Sequence, residues 1–322
     1  MKTDLSIIIL NYNGSDDTME CLESLDKQKT TFKYRIVVLD NDSKKENYEK
    51  LELYCKNRGD FKIDELESVN FSSGNDKWLI HSSENYGFAR GNNEIIKRVM
   101  PESQYVCLLN NDTEVDKLFI QKMLCFLTEN KSIKYASCRI NNYYDKTLLW
   151  SCGGKLVFWG NRHGFTEKEL SKKGKIVKTP YITGCALFLD TEMLKTYGML
   201  SEDFFFGEED FNFSWRMKKN RVKGACLNET LVYHKVSQSS RRSGISIGKT
   251  AGYYANRIID MHKFYNPIIW IIWKEMLKIF VRYSCYKKGM KLTEIQDVIC
   301  TISKYENNEK LTKQDCLEMR RF

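Results

Sequence analysis

The spacing of hydrophobic positions changes repeatedly along the first 130 residues. Leu5–Leu10 is a β-branched apolar run without alternation. That pattern predicts a strand buried on both faces of a parallel sheet. Asn11–Gly14 interrupts it, and Ser15, Asp16 and Asp17 suit the start of a helix, where free N–H groups and the dipole favour such side chains. Met19, Leu22 and Leu25 give that helix an apolar stripe. Tyr34–Leu39, Trp78–His81 and Tyr105–Leu109 predict three more buried strands, and a helix is expected over 46–55. Ile95, Ile96 and Val99 mark a helix stopped by Pro101, and Ile120, Met123, Leu124 and Leu127 mark another. Residues 56–77 are polar and irregular and read as an insertion.

Alternating strands and helices predict a parallel α/β sheet with right-handed crossovers. Ligands of such sheets sit beyond the carboxyl ends of the strands. Three of those ends carry polar clusters, Asn11–Asn13, Asp40–Ser43 and Asn110–Asp112, so one shared crevice is expected. The plainer reading is that Asn, Asp and Gly only make turns. From about residue 133 the pattern is less regular. Leu156–Trp159 and Ala186–Leu189 read as strands, with a Lys-rich loop near 168–178 between them. Phe204, Phe205, Phe206 and Gly207 then lead into Glu208, Glu209 and Asp210, ahead of a helix bearing Phe211 and Trp215. Three adjacent carboxylates either complement a helix N-terminus or provide a proton acceptor at the mouth of a cleft.

Composition narrows the class. The chain has 322 residues, 42% hydrophobic and 29% charged, enough for one large domain or two. The net charge of +9 is local: residues 1–234 hold 34 basic and 34 acidic side chains, 235–291 hold 12 and 2, and 292–322 hold 5 and 6. A general nucleic-acid coat is therefore excluded. The eleven cysteines include no C-x-x-C pair, and most lie in apolar runs. That excludes a disulfide framework or zinc ribbon and points to a reducing cytoplasm. The start, MKTDLSIIILNYNG, does not read as a signal peptide, and no apolar run reaches the ~18–20 residues of a membrane span.

The basic segment has its own pattern. Beyond Pro267 a helix would place Lys274, Lys278 and Arg282 on one face, with Ile269, Ile272, Trp273, Met276, Phe280 and Tyr283 over much of the other. This fits an interfacial helix on an anionic membrane surface. It equally fits a helix packed on the rest of the chain or on the partner in a homodimer. Leu292, Ile295, Val298 and Ile302 predict a further short helix.

Seven segments in order, SIIILNYNG (6–14), VVLDNDS (37–43), ENYGFARGNN (84–93), LLNNDTEV (108–115), TGCALFL (183–189), FFFGEEDFNFSWR (204–216) and YHKVSQSS (233–240), resemble family 2 glycosyltransferases. The NNDT element is similar to rhamnosyltransferases and galactofuranosyltransferases of bacterial surface polysaccharides. The resemblance implies a GT-A fold. Residues 1–130 would be the Rossmann-like, mostly parallel nucleotide-sugar half, 131–250 the acceptor-binding and catalytic half, and 251–322 a C-terminal helical extension. It implies a nucleoside-diphosphate sugar as donor, dTDP-rhamnose first and a UDP-sugar second, and a lipid-linked glycan as acceptor.

The same resemblance assigns residues. Asp40 would read the imide edge of the base, with Asn11 and Asn13 lining its pocket. Asn85, Gly87 and Arg90 would flank the nucleoside. Asn110-Asn111-Asp112 stands where the family has its D-x-D metal motif, so an amide replaces one acid. Asp112 and His234 would hold Mg²⁺ or Mn²⁺, while Lys235 and Ser239 would face the diphosphate. Asp210, preceded by Glu209, aligns with the catalytic base, and one displacement implies inversion. A nucleotidyltransferase would need a Gly-rich triphosphate loop that NYNGSDD lacks. A non-catalytic sugar-nucleotide-binding protein is the other alternative.

Overall fold

The computed structural model describes residues 3–71, 77–157, 159–236 and 247–319. The chain begins β1 (Thr3–Asn11), α1 (Ser15–Asp26), β2 (Tyr34–Asn41), α2 (Lys45–Arg58), β3 (Lys62–Glu65), β4 (Lys77–Ser82), α3 (Gly87–Val99) and β5 (Ser103–Asn110). These five strands are parallel, in the order β3-β4-β2-β1-β5. Successive strand side chains face opposite sides. Ile7, Ile9, Ile36 and Val38 therefore enter one core, and Ile8, Val37 and Leu39 another. Burial on both faces is why these runs show no alternation.

The second half continues with β6 (Thr113–Val115), α4 (Phe119–Glu129), β7 (Ile133–Asn142), β8 (Leu149–Ser151), β9 (Gly154–Val157), β10 (Asn161–Gly164), α5 (Glu167–Leu170) and β11 (Ile176–Lys178). Then come β12 (Ala186–Asp190), α6 (Thr191–Tyr197), α7 (Glu209–Lys219) and β13 (Lys223–His234). β12 is antiparallel to both β5 and β7, and β13 runs parallel to β7, so one sheet crosses the middle of the chain without a break. The helices α8 (Ile247–His262), α9 (Pro267–Lys287), α10 (Leu292–Tyr305) and α11 (Lys313–Met319) follow. Their own apolar cluster joins Trp270, Trp273, Val298 and Ile302 to Phe211 of α7.

Three expectations change. The segment 56–77 contains β3, an edge strand; with one side unpaired it stays polar, and Lys62 lies over the Trp78 ring at 4.4 Å. The Lys-rich loop near 168–178 contains α5, closed by a capping box between Thr166 and Glu169, and β11. The strands β7 and β13 complete the sheet although the sequence pattern does not announce them. Shifts of register against β7 between Leu227 and Val232 break the period of β13.

The expectation for α9 is half met. Lys274 and Lys278 do share a face, but it turns inward: their ammonium groups reach Glu306 at 2.8 and 2.6 Å. The apolar residues Ile268, Ile272, Ile279 and Tyr283 are exposed instead. The inward side also carries Trp270, Trp273, Val281 and Cys285, which pack into the apolar cluster of the C-terminal helices. Among the described residues no helix is long and apolar enough to cross a membrane. All eleven cysteines are free.

Candidate active site

The three polar strand ends meet. Asn11 closes β1 and donates to Asp40 Oδ1 at 2.9 Å and to Ser43 Oγ at 3.3 Å. Its own Oδ1 accepts from Thr18 of α1 at 2.9 Å. Asn111, beyond β5, donates to the same Thr18 hydroxyl at 3.0 Å and to the Gly14 carbonyl at 3.2 Å. Asn13, with φ of 54°, accepts from the Lys44 N–H and donates its own N–H to Ser43, both at 2.8 Å. The clusters thus form one knot across β1, β2 and β5. Thr18 is its centre, a residue no motif singled out.

Within that knot Asp40 is fully buried. Oδ1 accepts from Asn11, while Oδ2 accepts from the Ser43 N–H at 3.1 Å and lies 3.7 Å from His81 Nδ1. Two hydrogen bonds leave a carboxylate with further acceptor positions. Asp42, in the left-handed region at φ 62°, is exposed. So is Tyr12, an aromatic ring 55% exposed at the carboxyl end of β1.

Asn85 is buried and accepts from Asn41 at 3.0 Å and from the Gly87 N–H at 2.9 Å. Gly87 opens α3 with φ of 74°, and a Cβ there would lie 2.1 Å from the Phe205 carbonyl. Its first task is close approach of two chain segments. Arg90 is exposed and covers the Tyr86 ring at 4.0 Å.

The metal-motif region is assembled by β6 and β13, which pair Thr113 with His234. Lys235 N–H donates to the Asp112 carbonyl at 2.9 Å. Asp112 Oδ1 then lies 3.0 Å from His234 Nε2, although 122 residues separate them in sequence. The imidazole packs edge-on against Trp150, with ring centroids 4.4 Å apart. Its buried Nδ1 has no partner among the described residues. One carboxylate and one imidazole so placed are a donor set that a hard divalent cation accepts. Among the described residues no third acidic, histidine or cysteine side chain joins a metal cluster. Asn110 holds the turn by its backbone, its N–H donating to the Cys185 carbonyl and its carbonyl accepting from Thr113. Lys235 is pinned away from that pair by Asp17 and Glu20, at 2.7 and 2.6 Å. Ser239 lies outside the described residues.

The acids of α7 separate into three environments. Glu208 stands in the left-handed region at φ 73° and is buried in a two-contact ion pair with Arg257. Glu209 is buried and accepts the Gly207 N–H at 2.7 Å. Burial pushes its carboxyl up to about 8, and the neighbouring Asp210 adds to the rise. Asp210 is partly exposed; it accepts the Tyr181 hydroxyl at 2.8 Å and lies 3.7 Å from Arg162. Its Cβ lies 4.0 Å from the position a Cβ would take on Gly184. Gly184 adjoins Cys185, whose carbonyl holds Asn110. The Asp112–His234 pair and Asp210 are therefore linked through one short stretch of chain. Tyr181 and Arg162 were not foreseen: Tyr181 is three residues ahead of Gly184 in PYITGC, and Arg162 carries no signal in sequence.

Residues 6–197 match the model of glycosyl transferase family 2. The chain is 25% identical over 256 residues to the low-salt glycan biosynthesis hexosyltransferase Agl10 of Haloferax volcanii, covering 75% of this chain and 70% of that one. Its fold is similar to GalNAc-T7 solved with UDP, GalNAc and Mn²⁺, at a TM-score of 0.58 and 15% identity over 95% of this chain. It spans 58% of the GalNAc-T7 chain. It is also similar to TarS of S. aureus solved with UDP-GlcNAc, at a TM-score of 0.56 and 15% identity, covering 92% of this chain and 78% of that one. The chain therefore belongs to glycosyl transferase family 2: it is a glycosyltransferase on the GT-A fold that draws on a nucleotide-sugar donor.

Proposed function

We propose that this protein moves rhamnose from dTDP-rhamnose to a hydroxyl of a lipid-linked glycan, with inversion, during assembly of a cell-surface polysaccharide. The observation that carries the reading is the approach of Asp112 to His234 at 3.0 Å beside a strand end that also packs against Asp210. Asp210 takes the proton of the acceptor hydroxyl as that oxygen attacks the anomeric carbon. Tyr181 and Arg162 hold its carboxylate in place. Glu209 keeps its own proton near neutral pH and so adds no repulsion, while Arg257 balances Glu208. Asp112 and His234 would hold Mg²⁺ or Mn²⁺, and such an ion supplies positive charge against the diphosphate leaving group. The Mn²⁺ in the GalNAc-T7 structure supports a divalent ion here.

For the nucleoside, the exposed Tyr12 ring offers a stacking face, with Asn85, Gly87 and Arg90 along the adjoining wall. We assign Asn11, Asn13 and Asn111 to shaping the floor and Asp40 to the imide edge of the base. Lys235 contributes to phosphate binding once it leaves Asp17 and Glu20. The rhamnose assignment rests on the likeness of LLNNDTEV to rhamnosyltransferases. The same likeness favours UDP-galactofuranose as the second candidate. The outward apolar face of α9 supports work at the inner face of a membrane.

The test is a donor panel with purified protein, Mn²⁺ and a polyprenyl-diphosphate-linked sugar. We expect addition of one deoxyhexose from dTDP-rhamnose, read by mass. Turnover with UDP-galactofuranose alone would replace the donor assignment. Absence of binding and transfer with every nucleotide sugar would overturn the proposal.

A further inference from the structure

A cavity of about 370 Å³ lies between the β9–β10 hairpin and the helices α8 and α9. That is within the usual size of small-molecule sites, roughly 300–1,000 Å³. Val157, Tyr254, Trp273 and Leu277 make its walls apolar. Gly160 allows the hairpin to sit so close: its φ is 62°, and a Cβ there would lie 2.8 Å from Trp273. The Trp273 indole N–H donates to the Trp159 carbonyl at 3.1 Å and ties the hairpin to α9.

We infer that this cavity holds the apolar chain of the amphiphilic acceptor, an assignment that rests on the lipid-linked reading above. Two observations select that occupant. The first is continuity with the outer face of α9. Met276 and Phe280 line the cavity and are also 48% and 50% exposed, beside exposed Ile272 and Ile279. Neighbouring apolar side chains exposed together on one helix face mark an interaction site. The C-terminal end of the helix is basic: Arg282, Lys287 and Lys288 are exposed, and the single acid of α9, Glu275, is paired with Lys278. A long apolar chain carrying an anionic head matches both the apolar face and that basic end.

The second observation is the position of the cavity relative to the candidate base. Asn161 and His163 of β10 line it, whereas Arg162 between them reaches Asp210. Alternation along a strand accounts for this. The cavity and Asp210 lie on the two sides of one strand. Arg257 also lines the cavity and grips Glu208, two residues before Asp210. A bystander lipid on α9 would explain the exposed face but not an apolar cavity adjoining the acids of α7. A nucleotide would not suit these walls, and the strand-end crevice already provides polar groups for it.

Binding is tested without donor, using farnesyl phosphate below its micelle concentration, with inorganic phosphate as control. Calorimetry should show binding of farnesyl phosphate alone. Leu277→Trp fills the cavity and should weaken that binding by roughly tenfold or more, with melting temperature and dTDP binding retained as evidence of folding. Independently of that variant, an alkyl phosphate brominated near its chain end should quench tryptophan fluorescence in the wild type and quench less in Trp273→Phe. Failure of farnesyl phosphate to bind, unchanged binding in a folded Leu277→Trp, or quenching unaltered by Trp273→Phe would each overturn the cavity assignment. Equal transfer rates to chain-bearing and chain-free acceptors would overturn it as well while leaving the transferase reading intact. Absence of transfer to any lipid-linked acceptor, with farnesyl phosphate still bound in the cavity, would sink the acceptor reading instead.

Discussion

The Arg257 guanidinium grips the Glu208 carboxylate through contacts of 2.7 and 3.0 Å, with both side chains buried. Arg257 also lies over the Phe211 ring at 3.7 Å and donates to the Gly160 carbonyl. This pair balances the charge of one of three adjacent acids and fastens α8 to the start of α7. Breaking it leaves a buried charge without its partner, which costs about 3–5 kcal/mol. We expect Arg257→Met to lose that much stability in urea unfolding. The double variant Arg257→Met/Glu208→Gln should recover most of it, because no ionised group then stays stranded.

Asp210→Asn should lower kcat by about 10²–10⁴-fold, with donor affinity near that of the wild type in calorimetry. Near-normal turnover would exclude Asp210 as the base. Tyr181→Phe removes one hydrogen bond to that carboxylate and should have a smaller effect, on kcat more than on KM.

Asp112→Ala and His234→Ala should each abolish the gain in nucleotide affinity produced by adding Mn²⁺, leaving metal-free binding close to the wild type. The reading is the ratio of dTDP affinities with and without Mn²⁺. An unchanged ratio in both variants would remove the pair from any metal site.

Burial raises the Glu209 carboxyl to about 8, against ~4.3 in an unfolded chain. The folded state therefore binds this proton more tightly than the unfolded state. The group's contribution to stability is complete below about pH 4.3 and is lost as pH rises towards about 8. Glu209→Gln mimics the protonated form at every pH. Melting curves of the two proteins should run together near about pH 4 and diverge upward, the variant melting several degrees higher at about pH 8.

Thr18→Val should loosen the knot that joins β1, β2 and β5. It leaves Asn11 Oδ1 and the Asn111 amide each short of a buried partner. The expected loss is about 1–3 kcal/mol, read by urea unfolding, together with weaker nucleotide binding. Restoring the hydroxyl with Ser should recover most of both.

The parallel half was legible because its strands are short apolar runs ended by Asn, Asp and Gly, and strand ends in such sheets gather on one edge. That is why Asn11, Asp40 and Asn111 could be expected together before any coordinates. Order along the chain also marked Asp112, Asp210 and His234 as chemistry-bearing residues within family motifs. Sequence alone could not say which polar groups would be spent on each other. Asp40 is tied into the knot and Lys235 is paired with Asp17 and Glu20, because hydrogen-bond and charge partners from distant segments arrive only on folding. Likewise three identical-looking acids became distinct through burial, a buried arginine and a tyrosine 29 residues upstream. The α9 helix makes the same point. Its basic and apolar faces were visible, but which side turned inward was decided on folding, where Trp270, Trp273, Val281 and Cys285 joined the helical core and Lys274 and Lys278 met Glu306. Local sequence determines which elements form and which groups are available; burial and long-range pairing determine which of those groups remain for a ligand.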